Sequence, residues 1–129
     1  MKIYTSYFAN LKEVTRAHLV PINIALWPPR FFRGKSLYSV APTRSILKDT
    51  KSDEEYIRRY KNEILANLNI GKLLKDIEFL SEGKDVALLC YEKPGDLCHR
   101  HLLAEYMNER GCDVHELEKK EQQLSINFN

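Results

Sequence analysis

The sequence Asp85-Val86-Ala87-Leu88-Leu89-Cys90-Tyr91 contains the longest unbroken apolar run of the chain, from Val86 to Tyr91. A parallel strand that is covered by helices on both faces has such a run rather than an alternation. Pro94-Gly95 then predicts a turn, and Asp96 is a suitable N-cap for a helix ending at Gly111, with the apolar stripe Leu102, Leu103, Tyr106 and Met107. The pattern predicts a buried central strand followed by an amphipathic helix.

Two further strands are predicted before this run. The first is Ile3 to Phe8, which is rich in β-branched and aromatic residues, and Asn10 then offers a cap for a short helix. The second strand is Leu19 to Leu26, with Val20, Ile22, Ile24 and Leu26 on one face. Because Pro21 cannot donate a ladder hydrogen bond, we expect this strand to lie at an edge of the sheet.

The remaining segments complete an α/β domain. Residues 30–34 have the composition of a loop, Leu37 to Val40 that of a stub of strand, and Ser52-Asp53-Glu54-Glu55 is a capping box that opens a pair of helices. Val114 and Leu117 mark a last strand. We therefore predict a single three-layer domain over residues 1–118, followed by a polar C-terminal tail over residues 119–129. Its mainly parallel sheet has about four strands in the order 2-1-3-4, with helices on both faces.

The composition is that of an ordinary globular protein, with 129 residues, 43% hydrophobic and 29% charged. The three cysteines are an odd number, which is not typical of a disulfide framework. The opening residues have no secretory pattern, and no apolar run approaches the length of a membrane span. We therefore expect a cytoplasmic protein with no membrane partner. The sequence leaves the cofactors and the oligomeric state open.

The predicted strand order places a crevice at the carboxyl ends of the first and third strands, where ligands bind in open α/β sheets. One side of this crevice would consist of Ser6, Tyr7 and Asn10. The other would be the segment from Cys90 to Arg100, the densest cluster of reactive side chains in the chain. Any chemistry is therefore expected at this end of the sheet.

The start of the predicted helix is suited to an anion. Its first backbone amides have no partner within the helix and carry partial positive charge, and Arg100 and Lys93 would add to it. The same field favours a thiolate at Cys98. We therefore expect an enzyme, or an enzyme-derived domain, that binds a small anionic, phosphate-bearing ligand here through Arg100, Asp96, Lys93, Ser6, Tyr7 and Asn10. Its candidate catalytic residues are Cys98, His99, Glu92 and Cys90.

Other interpretations of these residues remain open. Cys90 and Cys98 could be small buried apolar residues, and His99 and Arg100 could be solvated. Cys90, Cys98 and His99 could also form a metal site, but their spacing matches no standard zinc pattern, so no metal ligand is assigned. No P-loop or Gly-rich dinucleotide motif is present in the sequence, which argues against ordinary NTPase or NAD chemistry.

A second hypothesis rests on the segment from Trp27 to Lys51. It holds six basic residues and one acid, a net +5 on a chain whose total formal charge is +2. Basic residues interleaved with aromatic residues are typical of nucleic-acid binding, where the cations contact phosphates and the rings stack on bases. In this alternative, an accessory domain binds nucleic acid through Trp27, Arg30, Phe31, Arg33, Lys35 and Arg44. The segment could equally be a solvated loop.

The strand ending Leu88-Leu89-Cys90-Tyr91-Glu92, the short turn and the following Cys98-His99-Arg100 resemble the signature of the prokaryotic domain of unknown function 488 family. The resemblance implies that Cys90, Glu92, Cys98, His99 and Arg100 are the characteristic positions. The chain departs from the family pattern in two places. Ser6-Tyr7-Phe8 stands where most members have Gly-His-Ser, and Asn23-Ile24-Ala25 replaces a strand carrying Asp and Arg. The chain therefore resembles a divergent branch.

Overall fold

The computed structural model describes residues 1–91 and 97–118. Short 3-10 helices follow the first and third strands, and the third α-helix continues through one π-helical and one 3-10 turn to Asn67. The regular elements are β1 (Ile3–Tyr7), α1 (Leu11–Arg16), β2 (Val20–Asn23), β3 (Lys35–Ser36), α2 (Arg44–Asp49), α3 (Asp53–Arg59), α4 (Ile70–Ser81), β4 (Val86–Cys90), α5 (His99–Glu109) and β5 (Val114–Glu116).

All five strands pair in parallel, in the order β3-β2-β4-β1-β5. Every residue of β4 is buried, and β4 occupies the centre. The α/β class and the central apolar strand are therefore confirmed. The predicted order is wrong in detail, because β4 lies between the first and second strands instead of beyond the first. A strand without any polar residue is most stable where helices cover both of its faces and strands cover both of its edges.

Pro21 does not place β2 at an edge, because β3 pairs along the outer side of β2. The Val20 and Ile24 amides donate to the carbonyls of Asp85 and Leu89, on the β4 side. Since amides alternate in direction along a strand, the Pro21 nitrogen faces the other side, ahead of the pairing of β3, which begins at Ile22. The missing donor therefore leaves no gap in the ladder.

Residues 30–50 hold more structure than the sequence predicts. The strand is Lys35–Ser36, and the predicted strand stub is instead a 3-10 helix, Tyr38–Val40. The helix α2 was not predicted. It begins after Thr43, whose hydroxyl accepts a hydrogen bond from the Ile46 amide as an N-cap. Leu37, Val40 and Ile46 are buried, and they anchor this segment to the core.

Helices cover both faces of the sheet, as predicted. The residues of β4 alternate between the two, so that Val86, Leu88 and Cys90 pack with α3, α4 and α5 while Ala87 and Leu89 pack with α1. The predicted cap at Ser52 is confirmed, since its hydroxyl accepts from the Glu55 amide, while the Glu55 carboxylate accepts from the Lys51 amide instead of the Ser52 amide of a full capping box. Within residues 1–91 and 97–118, no helix is both long and apolar enough to cross a membrane. The predicted tail, 119–129, lies outside the described residues.

Candidate functional site

A disulfide joins Cys90, the last residue of β4, to Cys98, which directly precedes α5. The odd cysteine count gave no indication of this bond, which joins two residues of one local motif rather than forming a framework. Cys98 is the N-cap residue and has extended backbone angles, so α5 begins at His99. The predicted helix start at Asp96 is therefore wrong, and Asp96 itself lies outside the described residues.

The side chain of Arg100 is fully buried and contacts both the disulfide and the last strand. Its Nε and Nη2 atoms each donate to one Glu116 carboxylate oxygen at 3.0 Å, while Nη1 lies 3.0 Å from the Cys90 sulfur. The ring of Tyr7 lies 5.5 Å from the guanidinium carbon. A two-bond pairing of this kind holds the guanidinium in one orientation. The positive charge of Arg100, which the sequence led us to expect beside Cys98, therefore lies against Cys90 in the structure.

Sequence reasoning missed Glu116, although a signal was present. In the closing strand, Val114 is buried, His115 is exposed and Glu116 is partly buried again. An acid on the core-facing side of a strand requires a cationic partner, because burial of an unpaired charge is costly. Once the strand is recognised, this alternation of buried and exposed residues therefore predicts a cationic partner for Glu116, such as Arg100.

His99 is buried and has a defined tautomer. Its Nε2 atom lies 2.7 Å from the Ile24 carbonyl oxygen and must donate to it, which leaves Nδ1 without a proton, 3.9 Å from the Cys98 sulfur. Burial, together with the Arg100 charge and against the opposing effect of the Ile24 bond, lowers the pKa of His99 to about 4. The imidazole is therefore neutral at pH 7, and its Nδ1 lone pair faces Cys98.

A local turn positions the carbonyl that holds His99. Where β2 ends, the Asn23 side chain donates to the Ala25 carbonyl and accepts from the Ala25 amide. The Ile24 amide donates to the Leu89 carbonyl of β4. Residue 24 is therefore fixed on both sides, and its carbonyl is directed toward the start of α5.

A pocket of about 360 Å³ lies beside the disulfide at the carboxyl ends of β2 and β4. Trp27 and Tyr91 are each about half exposed on its wall, and the Tyr91 hydroxyl donates to the Trp27 carbonyl. The Lys48 ammonium lies 5.8 Å from the Trp27 ring centre. The segment from Trp27 to Lys51 therefore contributes one wall of this pocket. The lining residues are Ala25, Leu26, Trp27, Pro42, Leu47, Lys48, Tyr56, Cys90, Tyr91 and His99.

Several residues predicted for the site do not line this pocket. Ser6 and Asn10 are buried and bonded to each other at 3.1 Å, and Tyr7 lies beneath Arg100. Glu92 and Lys93 lie outside the described residues. The residues of the alternative nucleic-acid surface, apart from Trp27, are exposed away from the pocket: Arg30, Phe31, Arg33, Lys35 and Arg44.

Cys90, Cys98 and His99 bring their potential metal-ligand atoms within 4.8 Å of one another. Cysteine binds metals as a thiolate, and the two sulfurs are bonded to each other in this form. The group therefore offers only the His99 Nδ1 atom to a metal in this form.

The fold and the site define a small parallel α/β domain with a cysteine pair and a buried histidine at the carboxyl end of its central strand. The family model described as the active DUF488-N3 subclade matches residues 16–111, a range that includes the whole Cys90-to-Arg100 segment. The chain therefore belongs to the domain of unknown function 488 family, as the sequence resemblance implied. Searches of the curated proteins and of the solved structures found no match to the chain.

The lowered pKa of His99 predicts a pH dependence of stability. Between pH 6.5 and the folded-state pKa of about 4, the unfolded chain binds a proton that the folded chain excludes. This histidine should therefore reduce the free energy of unfolding by up to about 3 kcal/mol as the pH falls through that range. In urea unfolding at a series of pH values, His99→Gln should lack this decline, since glutamine keeps an N–H but does not titrate. The exposed His115→Gln is the control, and equal pH slopes for His99→Gln and wild type would contradict the assignment.

Proposed function

We propose that the protein is an enzyme that binds a small anionic, phosphate-bearing ligand in the pocket and acts on it through its cysteine pair and His99. One observation carries the proposal: Cys90 and His99 line the same pocket as Lys48 and Trp27. A pocket with mostly apolar walls and a few convergent polar groups is the usual form of a small-molecule site. The cation for the ligand is then Lys48, because Arg100 is committed to Glu116 and Cys90.

The two sulfurs have different surroundings, which favours different roles once the disulfide is reduced. The Cys90 thiolate would face the pocket with the Arg100 guanidinium behind it, so we propose Cys90 as the nucleophile. Cys98 lies beside the unprotonated Nδ1 of His99, which can accept a hydrogen bond from its thiol. Arg100 then acts as a positioning residue that stabilises negative charge on sulfur. The proposal includes a reducing, cytoplasmic setting, in which the Cys90–Cys98 disulfide would be reduced to two thiols.

Trp27 is the only tryptophan of the chain, so its fluorescence reports on the pocket alone. We expect phenyl phosphate to change this fluorescence saturably and phenol to change it less, because only the former pairs with Lys48. Lys48→Ala should weaken phenyl phosphate binding roughly two- to fivefold, as is usual for a partly exposed ion pair. Lys51→Ala removes an exposed lysine that does not line the pocket and should leave the affinity unchanged. A fluorescence signal that does not respond to any phosphate ester would contradict the proposal.

A second candidate function, nucleic-acid binding, is favoured by the exposure of aromatic rings outside the pocket. Phe31 is 62% exposed and Tyr38 is 57% exposed, whereas Phe32 turns inward and packs on Phe8. Arg30, Arg33 and Lys35 are exposed on the same segment. Exposed rings beside exposed cations are the arrangement that single-stranded nucleic acid requires for stacking and phosphate contact.

Binding of a fluorescently labelled single-stranded oligonucleotide across a salt series tests this second candidate. Each arginine that contacts a phosphate should make the slope of log affinity against log salt shallower by about 0.7 when it is removed. We expect this change for Arg30→Ala and Arg33→Ala. Lys75→Ala, on the exposed face of α4, is the control and should not alter the slope. Failure of the wild-type protein to bind at low salt would exclude this function.

A further inference from the structure

We propose that the pocket supports thiol–disulfide exchange with an anionic low-molecular-weight thiol, which enters the pocket and attacks the Cys90 sulfur. This inference rests on the proposed anion-binding pocket and adds the chemical class of a second substrate to it. Four observations carry it: the bonded sulfurs, the position of Cys90 on the pocket wall, the charges around the pocket, and the different surroundings of the two cysteines.

The pocket selects which sulfur is attacked. Both cysteines are buried, at 0% exposure for Cys90 and 2% for Cys98, but only Cys90 lines the pocket. Cys90 has no exposed surface, so a reagent can reach its sulfur only where the covering residues move aside, and the pocket wall is where Cys90 lies nearest to open space. The entering thiolate therefore bonds to Cys90, and Cys98 becomes the leaving group.

The charges near the pocket favour an anion over a cation. Lys48 contributes a positive charge to the wall, and the described residues that line the pocket include no carboxylate. The Arg100 guanidinium lies directly behind the Cys90 sulfur, at 3.0 Å. The nearby acid, Glu116, is paired with that guanidinium. A thiolate that carries a second negative charge should be attracted into the pocket, and the attraction should weaken with salt.

The exchange is balanced in two steps. In the first, the thiolate of the small molecule bonds to Cys90, the Cys90–Cys98 bond breaks, and Cys98 leaves as a thiolate at the start of α5, where helix amides stabilise it. In the second, another small-molecule thiolate attacks the small-molecule sulfur of the mixed disulfide. This step releases the Cys90 thiolate, which Arg100 stabilises. The protein disulfide is reduced to two thiols, and two small thiols are oxidised to their disulfide. In the reverse direction, the Cys98 thiol loses its proton to water, its thiolate attacks the Cys90 sulfur of the mixed disulfide, and the small-molecule thiolate leaves.

The test uses Cys112→Ser protein, so that the site holds its only two cysteines. Three thiols of similar size are compared: 2-mercaptoethanesulfonate, which is anionic, neutral 2-mercaptoethanol, and cationic cysteamine. Reduction is followed by intact mass, and each rate is divided by the rate for the same protein unfolded in urea. We expect the anionic thiol to exceed the cationic one by roughly tenfold at low salt. Lys48→Glu should abolish or invert this order, and the matched Lys51→Glu should preserve it.

The attacked sulfur is identified with single-cysteine proteins and the oxidised form of the anionic thiol. The Cys98→Ser/Cys112→Ser protein should form the mixed disulfide at Cys90 faster than Cys90→Ser/Cys112→Ser protein forms it at Cys98. Equal rates for all three thiols, faster capture at Cys98, or reduction only on unfolding would each overturn the inference. Failure of the phosphate-bearing ligand would instead appear as unchanged Trp27 fluorescence alongside normal exchange, so the two proposals fail separately.

Discussion

The ion pair between Arg100 and Glu116 is the interaction on which the site depends. A guanidinium with no exposed surface is stable only if its donors are satisfied, and here Glu116 accepts two of them while Cys90 lies at a third. The three residues belong to α5, β5 and β4, so one buried charge holds together three elements that are separate in the sequence. Removal of either partner would leave an uncompensated charge against the central strand, which is far more destabilising than the loss of a surface pair.

The same arrangement makes the two cysteines chemically unlike. Cys90 ends a fully buried strand beside a cation, and Cys98 precedes a helix beside a neutral imidazole whose tautomer is fixed by the Ile24 carbonyl. A buried, neutral histidine cannot serve as a counter-ion, but its Nδ1 atom can accept a hydrogen bond from a neighbouring thiol. The aromatic and basic segment contributes Trp27 and Lys48 to the wall of the pocket that Cys90 also lines.

The sequence was sufficient to predict the features that depend on local patterns. The apolar run of β4, the helix cap at Ser52 and the family-typical Cys90, Cys98, His99 and Arg100 are all visible without coordinates. The strand order was not predictable in this way, because it depends on which neighbours a strand pairs with. The Arg100–Glu116 pair and the disulfide link residues whose proximity arises only from the crossover geometry. The helix α2 was missed because Thr43 is a cap only when Ile46 has a core to pack against.

The central claim is that Cys90 is the thiol presented to an anion-binding pocket. The most direct measurement is competitive alkylation of the reduced, folded protein with iodoacetate and iodoacetamide, with peptide mass spectrometry at each cysteine. Each rate is expressed relative to that of the unfolded chain. The account predicts that Cys90 favours the anionic iodoacetate more than Cys98 or Cys112 does, and that phenyl phosphate suppresses this labelling. Preferential labelling of Cys98 or Cys112 by iodoacetate, with Cys90 unreactive until the protein unfolds, would contradict it.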